Sequence, residues 1–430
     1  MRIVVLRAAW ACAAACLLSG GISHAAEQPS PRPRLTLASA LDAALERNPD
    51  LLASRYELTA AQARLLQAGL RPNPELSVEL ENFAGSGATR GVDALETTLS
   101  LSQVIELGGK RSLRAGAAQT DIDLLAIEQR ARQLDALAEV TQRFIDVVVA
   151  QETMRFAIEN SRLAGQMLET IAARVAAARS PLAEASRARI AATRAILDER
   201  QAEAQLRGMR YALAALWGDA EPAFEEASAD LFSLPQVEPF GLLAQRIVSN
   251  PDIARFASEA RLHEAELRLA QAQARPNLTL SVGVRRLGES ADAALVAGFS
   301  MPLPVHDRNQ GAIREARARA YQSLAQQDAA VVRARATLYA IYQQMDAARA
   351  RVGALRDEAI PQAQMALEQM QAGYERGRFS FVELLSTRQE LVELRAAAIA
   401  AAADFHRLLA EIERITSEPL TTDDIEAPLP

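Results

Sequence analysis

Asn48-Pro49-Asp50 and Arg71-Pro72-Asn73-Pro74 recur later in the chain as Asn250-Pro251-Asp252 and Arg275-Pro276-Asn277. The marks stand 23 residues apart in the first set and 25 in the second. Between them lies a helical stretch, residues 51–70 and 252–274. After them comes a run of alternating polarity, and then a very long stretch of helix formers. A unit of roughly 200 residues is therefore written twice, which is a duplication and not a short solenoid repeat.

The alternating runs read as strands. Leu76, Val78 and Leu80 alternate with Glu75, Ser77, Glu79 and Glu81. Leu95, Leu99 and Leu101 alternate with Glu96, Thr98, Ser100 and Ser102. In the second unit Leu278, Leu280, Val282 and Val284 alternate with Thr279, Ser281, Gly283 and Arg285, and Leu295, Ala297, Phe299, Met301 and Leu303 share a face. A period of two sends alternate side chains to opposite sides of a sheet. Turns at Gly85-Ser86-Gly87 and around Gly288 make each unit one hairpin. The expected strands are 74–83, 94–104, 277–286 and 293–303. Strands of about 9–11 residues cross a membrane when tilted. The apolar row then faces lipid, and Glu75, Ser77, Glu79, Glu96, Thr279 and Arg285 face a lumen. A sheet with one face on a soluble core is the competing reading of the strands alone.

The helices supply the other half. Residues 109–177 hold no proline and are rich in Ala, Leu, Gln, Glu and Arg. At 1.5 Å per residue such a helix is roughly 100 Å long, more than one globular domain can use. Residues 308–376 repeat the design, with Pro361 as a kink or break. Apolar residues step by three and four, as in Leu137, Val140, Phe144 and Val147, then Met154 and Ile158, a coiled-coil-like pattern. Each long helix turns and returns, through Ala178-Arg179-Ser180-Pro181 into 182–216 and through Gly377-Arg378-Phe379-Ser380 into 381–415. Each return is about half as long as its partner. The short helices 51–70 and 252–274 can stack end to end with the returns and complete a matched bundle. The units are residues 37–217 and 241–416. Residues 218–240 link them and are expected outside the bundle. Residues 26–36 and 417–430 are Pro-rich or acidic and expected to be loosely ordered.

Arg2 and Arg7 precede an apolar run, Ala8 to Leu18, and Ser23-His24-Ala25 suits a cleavage site. Residues 1–25 therefore read as a secretory signal, because the run is too short to span a bilayer. Cys12 and Cys16 are the only cysteines and both fall inside it, so no disulfide framework or thiolate metal site is expected in the mature chain. Neither is preceded by a clear lipid-attachment motif. The net charge of −7 becomes −9 once Arg2 and Arg7 are removed, a poor balance for binding nucleic acid. Half of the 430 residues are hydrophobic but only 4% are aromatic, so alanine supplies much of the apolar share.

Four strands cannot close a barrel, and an open edge in lipid leaves backbone groups unpaired at several kcal/mol each. Closed barrels begin at about eight strands. Eight strands enclose only side chains, where inward glutamates are costly, so three or more copies are favoured.

Secretory signal, duplicated units, two hairpins and two very long helices together resemble the TolC family of outer-membrane efflux ducts. Glu46-Arg47-Asn48-Pro49-Asp50-Leu51, Pro72-Asn73-Pro74-Glu75-Leu76, Gln103-Val104-Ile105-Glu106-Leu107-Gly108-Gly109-Lys110-Arg111 and Leu213-Ala214-Ala215-Leu216-Trp217-Gly218 look like its cobalt–zinc–cadmium cation efflux branch. The resemblance implies an α+β membrane protein that trimerises into a 12-stranded β-barrel on a periplasmic α-helical tunnel. It implies a passive exit from a tripartite system, with a periplasmic adaptor and a proton-driven inner-membrane RND-type pump, and no catalysis. By resemblance the tips Ala178, Arg179, Ser180, Pro181 and Tyr374, Gly377, Arg378, Phe379, Ser380 dock the adaptor. The second tip fits a Tyr-x-x-Gly pattern. In the first, Val175 stands for the tyrosine and Ala178 for the glycine, and the turn reads as one residue shorter. Glu368, about two turns before the second tip, could join an acidic ring at the closed end.

Other signals carry less. Gly-Gly-Lys-Arg at 108–111 is no phosphate loop, since Val104 and Arg111 stand where a glycine and a hydroxyl are needed. It reads as a strand-to-helix corner. His263, His306 and His406 are too scattered for a metal site, and no cofactor is expected. No catalytic motif is present. Drugs, small organics or a secreted polypeptide remain alternative cargoes. A secreted coiled-coil structural protein is the alternative from another class, though it leaves the four strands unexplained.

Overall fold

The computed structural model describes residues 34–417. The expected signal, residues 26–33 and residues 418–430 lie outside the described residues. Each unit contributes a short helix, a hairpin, a long helix and a returning helix. The first unit holds α1 (Leu37–Arg47), α2 (Pro49–Ala68), β1 (Glu75–Glu81), β2 (Glu96–Ile105), α3 (Lys110–Ala176) and α4 (Leu182–Ala215). The second holds α5 (Phe240–Arg246), α6 (Pro251–Gln273), β3 (Leu278–Arg286), β4 (Ala293–Ser300), α7 (Gln310–Gly353), α8 (Ile360–Glu375) and α9 (Phe381–Thr416). No described helix is long and apolar enough to cross a membrane.

The Asn-Pro-Asp marks are splices between helices. Asn48 caps α2, its Oδ1 accepting from the N–H groups of Asp50 and Leu51 at 2.9 and 3.0 Å. Its Nδ2 donates at 2.8 Å to the carbonyl of Leu216, where α4 ends. Asn250 repeats this, accepting from the Asp252 N–H at 2.8 Å and donating at 2.9 Å to the carbonyls of Arg414 and Ile415 at the end of α9. One side chain thus satisfies orphan donors of one helix and orphan acceptors of another. The following proline suits the first helical turn, where no N–H partner is needed. The two short segments so joined run beside one long helix: α3 packs on α4 and α2, and also on α6 and α9 of the second unit.

The long helices start one or two residues later than expected. Gly109 and Asn309 take left-handed backbone angles, φ 71° and 57°, and so form the caps. Gly108 also has φ 77°, and a Cβ there would stand 2.8 Å from Cδ of Arg275. The Gly-Gly-Lys-Arg stretch is therefore a corner, as its sequence suggests. Lys110 is buried and donates to Oδ1 of Asn277 in the other unit. Burial pulls its pKa down, against the opposing pull of Glu106. Arg114 bonds Glu106 at 2.7 Å and the Ala68 carbonyl at 2.8 Å, and this pairing holds the Glu106 carboxyl below its usual range.

Two other expectations are corrected. The strands span 7, 10, 9 and 8 residues, so β1 and β4 are shorter than the expected membrane-crossing lengths. Asn82, at φ 59°, turns the chain out of β1, and Pro302 and Pro304 follow β4 without N–H groups to donate. Pro361 falls where the second long helix is interrupted, as its sequence suggests. It lies in the first turn of α8, directly after a π-helical segment, Ala354–Ala359. The linker does not stay clear of the bundle. Phe224, Ala227 and Leu231 are buried with Val140, Phe144, Val147 and Trp217 in one core. Gln151 on α3 clamps Ala227 through both its carbonyl (3.0 Å) and its N–H (2.7 Å), and Leu35 pairs with Ala227. These apolar side chains are costly to leave in water, and the helix flank offers them cover.

Replacing Asn48 or Asn250 by alanine removes a cap and strands carbonyls. Each change is expected to cost about 1–2 kcal/mol. Thermal unfolding followed by circular dichroism checks this, and unchanged midpoints in both variants would refute the splices.

Candidate functional site

Two places have the geometry of working surfaces: the sheet at one end of the bundle and the paired tips at the other. The sheet has the order β1-β2-β3-β4, antiparallel throughout. Its register decides the faces. Leu76 lies opposite Leu101, Val78 opposite Leu99, Leu99 opposite Val284, and Leu280 opposite Phe299. These residues make one apolar face, and most are well exposed in the single chain, Leu295 by 84% and Phe299 by 78%.

The other face is polar and gathers all six residues expected on a lumen. Glu79 lies opposite Thr98, and Thr98 opposite Arg285. Arg285 bonds Glu81 at 2.8 Å, Glu96 at 3.0 Å and the Thr98 hydroxyl at 3.0 Å, so one guanidinium ties three strands together. Ser77 and Ser100 share a hydrogen bond of 2.7 Å. Glu75 and Glu79 have no ion pair among the described residues. The first hairpin thus presents four carboxylates, while the second presents Thr279, Ser281, Gly283, Ala294, Val296, Gly298 and Ser300 around one arginine. An apolar exterior against a hydroxyl-rich, acidic interior is the division a membrane barrel needs.

At the far end the two tips have the same construction. Ala178 and Gly377 both take left-handed angles, φ 57° and 72°. The N–H of each bonds the carbonyl three residues back, Val175 at 2.9 Å and Tyr374 at 3.0 Å. The next N–H reaches the carbonyl five back, Arg179 to Arg174 and Arg378 to Gly373, both at 2.8 Å. The returning helices begin four residues after the left-handed residue in each case. The first tip is therefore not a residue shorter. Alanine holds the position at the cost of a left-handed β-carbon. The starts differ in chemistry. Ser380 forms a capping box with Glu383, whose carboxyl is pulled below its usual range by the Ser380 N–H and hydroxyl. Pro181 caps α4 without a side-chain bond.

The tips are also bonded to each other. The Tyr374 hydroxyl donates to Glu184 of α4 at 2.6 Å and lies 3.2 Å from the Ser180 hydroxyl. Arg174 reaches Ser180 at 3.3 Å and stacks 4.8 Å above the Tyr374 ring. Ile171, Ala188, Tyr374, Phe381 and Leu384 are buried together beneath this network. Burial raises the pKa of the phenol, and Glu184 adds to the rise, while Ser180 and Arg174 oppose it. Arg179, Arg378 and Phe379 stay exposed at the apex, and Glu368 is exposed on α8. The sequence pointed to Tyr374 but gave no hint of Glu184 or Arg174 as its partners, because the contact joins residues nearly two hundred positions apart. The histidines stay apart: His263 bonds Glu266 at 2.8 Å and His406 donates to the Leu231 carbonyl at 2.9 Å. No group of three or more His, Cys, Asp or Glu suited to a metal occurs among the described residues.

The family described as outer membrane efflux protein matches residues 40–219 and 242–417, one match to each unit. The chain is 30% identical over 381 residues to the cobalt-zinc-cadmium resistance protein CzcC of Cupriavidus metallidurans, covering 89% of this chain and 90% of that one. It is 28% identical over 313 residues to the nickel and cobalt resistance protein CnrC of the same organism, covering 73% and 72%. In fold it is similar to the outer membrane protein VceC of Vibrio cholerae, with a TM-score of 0.71 at 20% identity, covering 90% and 97%.

Two predictions test the two surfaces. Leu80→Arg puts a charge on the apolar face and Ser77→Arg puts one on the polar face. The first is expected to cost insertion up to about 2–4 kcal/mol and the second little, read as yield of heat-resistant barrel in membranes. Equal yields would sink the assignment of faces. Tyr374→Phe should loosen the tips, read as higher conductance in planar bilayers. In the native chain a phenol whose pKa is raised in the fold stabilises the tips below the ordinary tyrosine range, and the contact weakens as pH rises through its raised value. Tyrosinate absorbance against pH checks the sign.

Proposed function

We propose that this chain, which belongs to the outer membrane efflux protein family, is the passive exit duct of a tripartite efflux system for divalent heavy-metal cations. Its place in the outer membrane, with a helical tunnel below a barrel, follows from the family. The cargo, the assembly and the partners are our reading. Three copies close the barrel, a periplasmic adaptor binds the tips, and an inner-membrane RND-type pump driven by protons does the work.

The observation that carries this reading is similarity to metal-resistance relatives over 73–89% of a chain whose polar strand face holds four glutamates against one arginine. Such a face favours cations along the lumen by long-range potential. It need not bind them tightly, because a duct that held its cargo would stop releasing it. The exposed apex residues Arg179, Arg378 and Phe379 offer an adaptor charge and one aromatic anchor, and Ala178, Ser180, Pro181, Gly377 and Ser380 shape the turns beneath them. Glu368 would add carboxylates where the tunnel narrows.

A strain lacking the gene is expected to lose tolerance to zinc, cobalt and cadmium while keeping tolerance to a panel of dyes and drugs. Loss of drug tolerance alone would overturn the cargo and leave the duct. Deleting Gly377 to Ser380 should abolish export while folded protein still reaches the outer membrane. Full metal tolerance in that deletion would refute docking at the tips.

A further inference from the structure

The outer edges of β1 and β4 have no partner among the described residues. In a bilayer both edges must be paired. The duplication allows the missing ladder to be worked out, since the junction between β2 and β3 already joins one unit to the next inside the chain. On the proposed reading of a barrel closed by identical copies, the junction from β4 to β1 of the next copy is the same junction again.

The two hairpins give the equivalences. Arg71 and Asn73 correspond to Arg275 and Asn277, which sets β1 on β3 and makes Ser281 the counterpart of Ser77. Ser77 lies opposite Ser100 in the first hairpin, and Ser281 opposite Gly298 in the second, so Gly298 corresponds to Ser100 and Ser300 to Ser102. Inside the chain Ser102 lies opposite Ser281. We infer that β4 pairs antiparallel with β1 of a second copy in one register, with Ser300 opposite the other copy's Ser77.

Independent features agree with this register. It sets Phe299 opposite Val78 and Met301 opposite Leu76 on the apolar face. On the polar face it sets Gly298 opposite Glu79, where the absent side chain leaves room for the carboxylate. A slip of one residue would put one strand's apolar row into the lumen. The register also fixes the slope of the barrel. Crossing from Glu79 to Thr98 to Arg285 arrives two residues beyond Gly283, the counterpart of Glu79. Each pair of strands therefore climbs two residues, so that the climb equals the number of strands. With a rise of about 3.4 Å and a strand spacing of about 4.8 Å this is a tilt of about 35°. Outer-membrane barrels tilt by about 35–45°. A slip of two residues keeps the faces but breaks the even climb.

Cysteine pairs test the register in the full chain, whose only cysteines, Cys12 and Cys16, lie in the expected signal. Directly opposed residues in antiparallel strands are close enough for a disulfide. Ser77→Cys with Ser300→Cys, oxidised in membranes, is expected to give a ladder of linked chains on a non-reducing gel. The ladder should be roughly ten-fold stronger than for Ser77→Cys with Gly298→Cys, a slip of two residues. Each single variant and the parent should give none. Ser102→Cys with Ser281→Cys is the control, linking within one chain and protecting both thiols from alkylation.

If the control forms and the Gly298 pair links in place of the Ser300 pair, the register is overturned. If the control forms and neither pair links, closure by identical copies through these edges is overturned. A failed control overturns the strand assignment on which the inference rests. A ladder in the stated register that stops at two or four chains upholds the inference and overturns the trimer. The cargo reading stands or falls separately, on metal tolerance.

Discussion

The longest element of this molecule depends on two asparagine side chains. A helix of 67 residues, α3, needs an antiparallel neighbour along its length, yet the chain returns through only 34 residues of α4. Asn48 supplies the rest by joining the end of α4 to the start of α2, as Asn250 joins α9 to α6. Each accepts from the first N–H groups of one helix and donates to the last carbonyls of another. Without that bond both helix ends would need water in the middle of the packed bundle. Because α2 and α6 continue end to end from the returning helices and lead directly into β1 and β3, both hairpins arrive at the same end. The bundle height, the position of the sheet and the opposite position of the tips all follow.

Most of this was legible because it repeats with short periods. Alternation from Leu76 to Glu81 gave the faces of β1 without any knowledge of its partners, and the proline-free run after Gly109 gave α3. The marks that announced the duplication proved to be the splices, since an asparagine before a proline at a helix start is a local signal. What stayed hidden involves contacts between distant residues. Phe224, Ala227 and Leu231 lie in a stretch rich in Pro, Glu and Ala, and that composition reads as a loose linker. Only the flank of α3, with Gln151 in place, shows why they are buried. The first tip was read as shorter because Ala178 hides a left-handed turn that glycine would have advertised.

The tips show how duplicated parts acquire different duties. Their backbones are superposable in hydrogen bonding, yet one starts its returning helix with Ser380 and Glu383 and the other with Pro181. One carries Tyr374 where the other has Val175. The tyrosine does not serve its own hairpin alone. It crosses to Glu184 of the other, with Arg174 stacked on its ring, and so bridges the two hairpins above the apolar cluster they share. A contact of this kind is worth a few kcal/mol at most, small enough for a docking partner to offset.

The same divergence governs the sheet. Had both hairpins kept the acidic pattern of the first, the close opposition of Glu81 and Glu96 would recur in the second, with no arginine to relieve the repulsion in either. Instead the second hairpin is nearly bare on its polar face, with Gly283 and Gly298 beside the serines and Arg285 as its one charge. That arginine draws in Glu81 and Glu96 from the first hairpin and leaves Glu75 and Glu79 free. Alternating acidic and bare hairpins keep a negative lumen while spacing its charges around the ring. Among the described residues no group of three or more metal-ligating side chains is assembled in the process. Attraction without coordination is what a conduit for cations requires, since the ions must be drawn in and then let go.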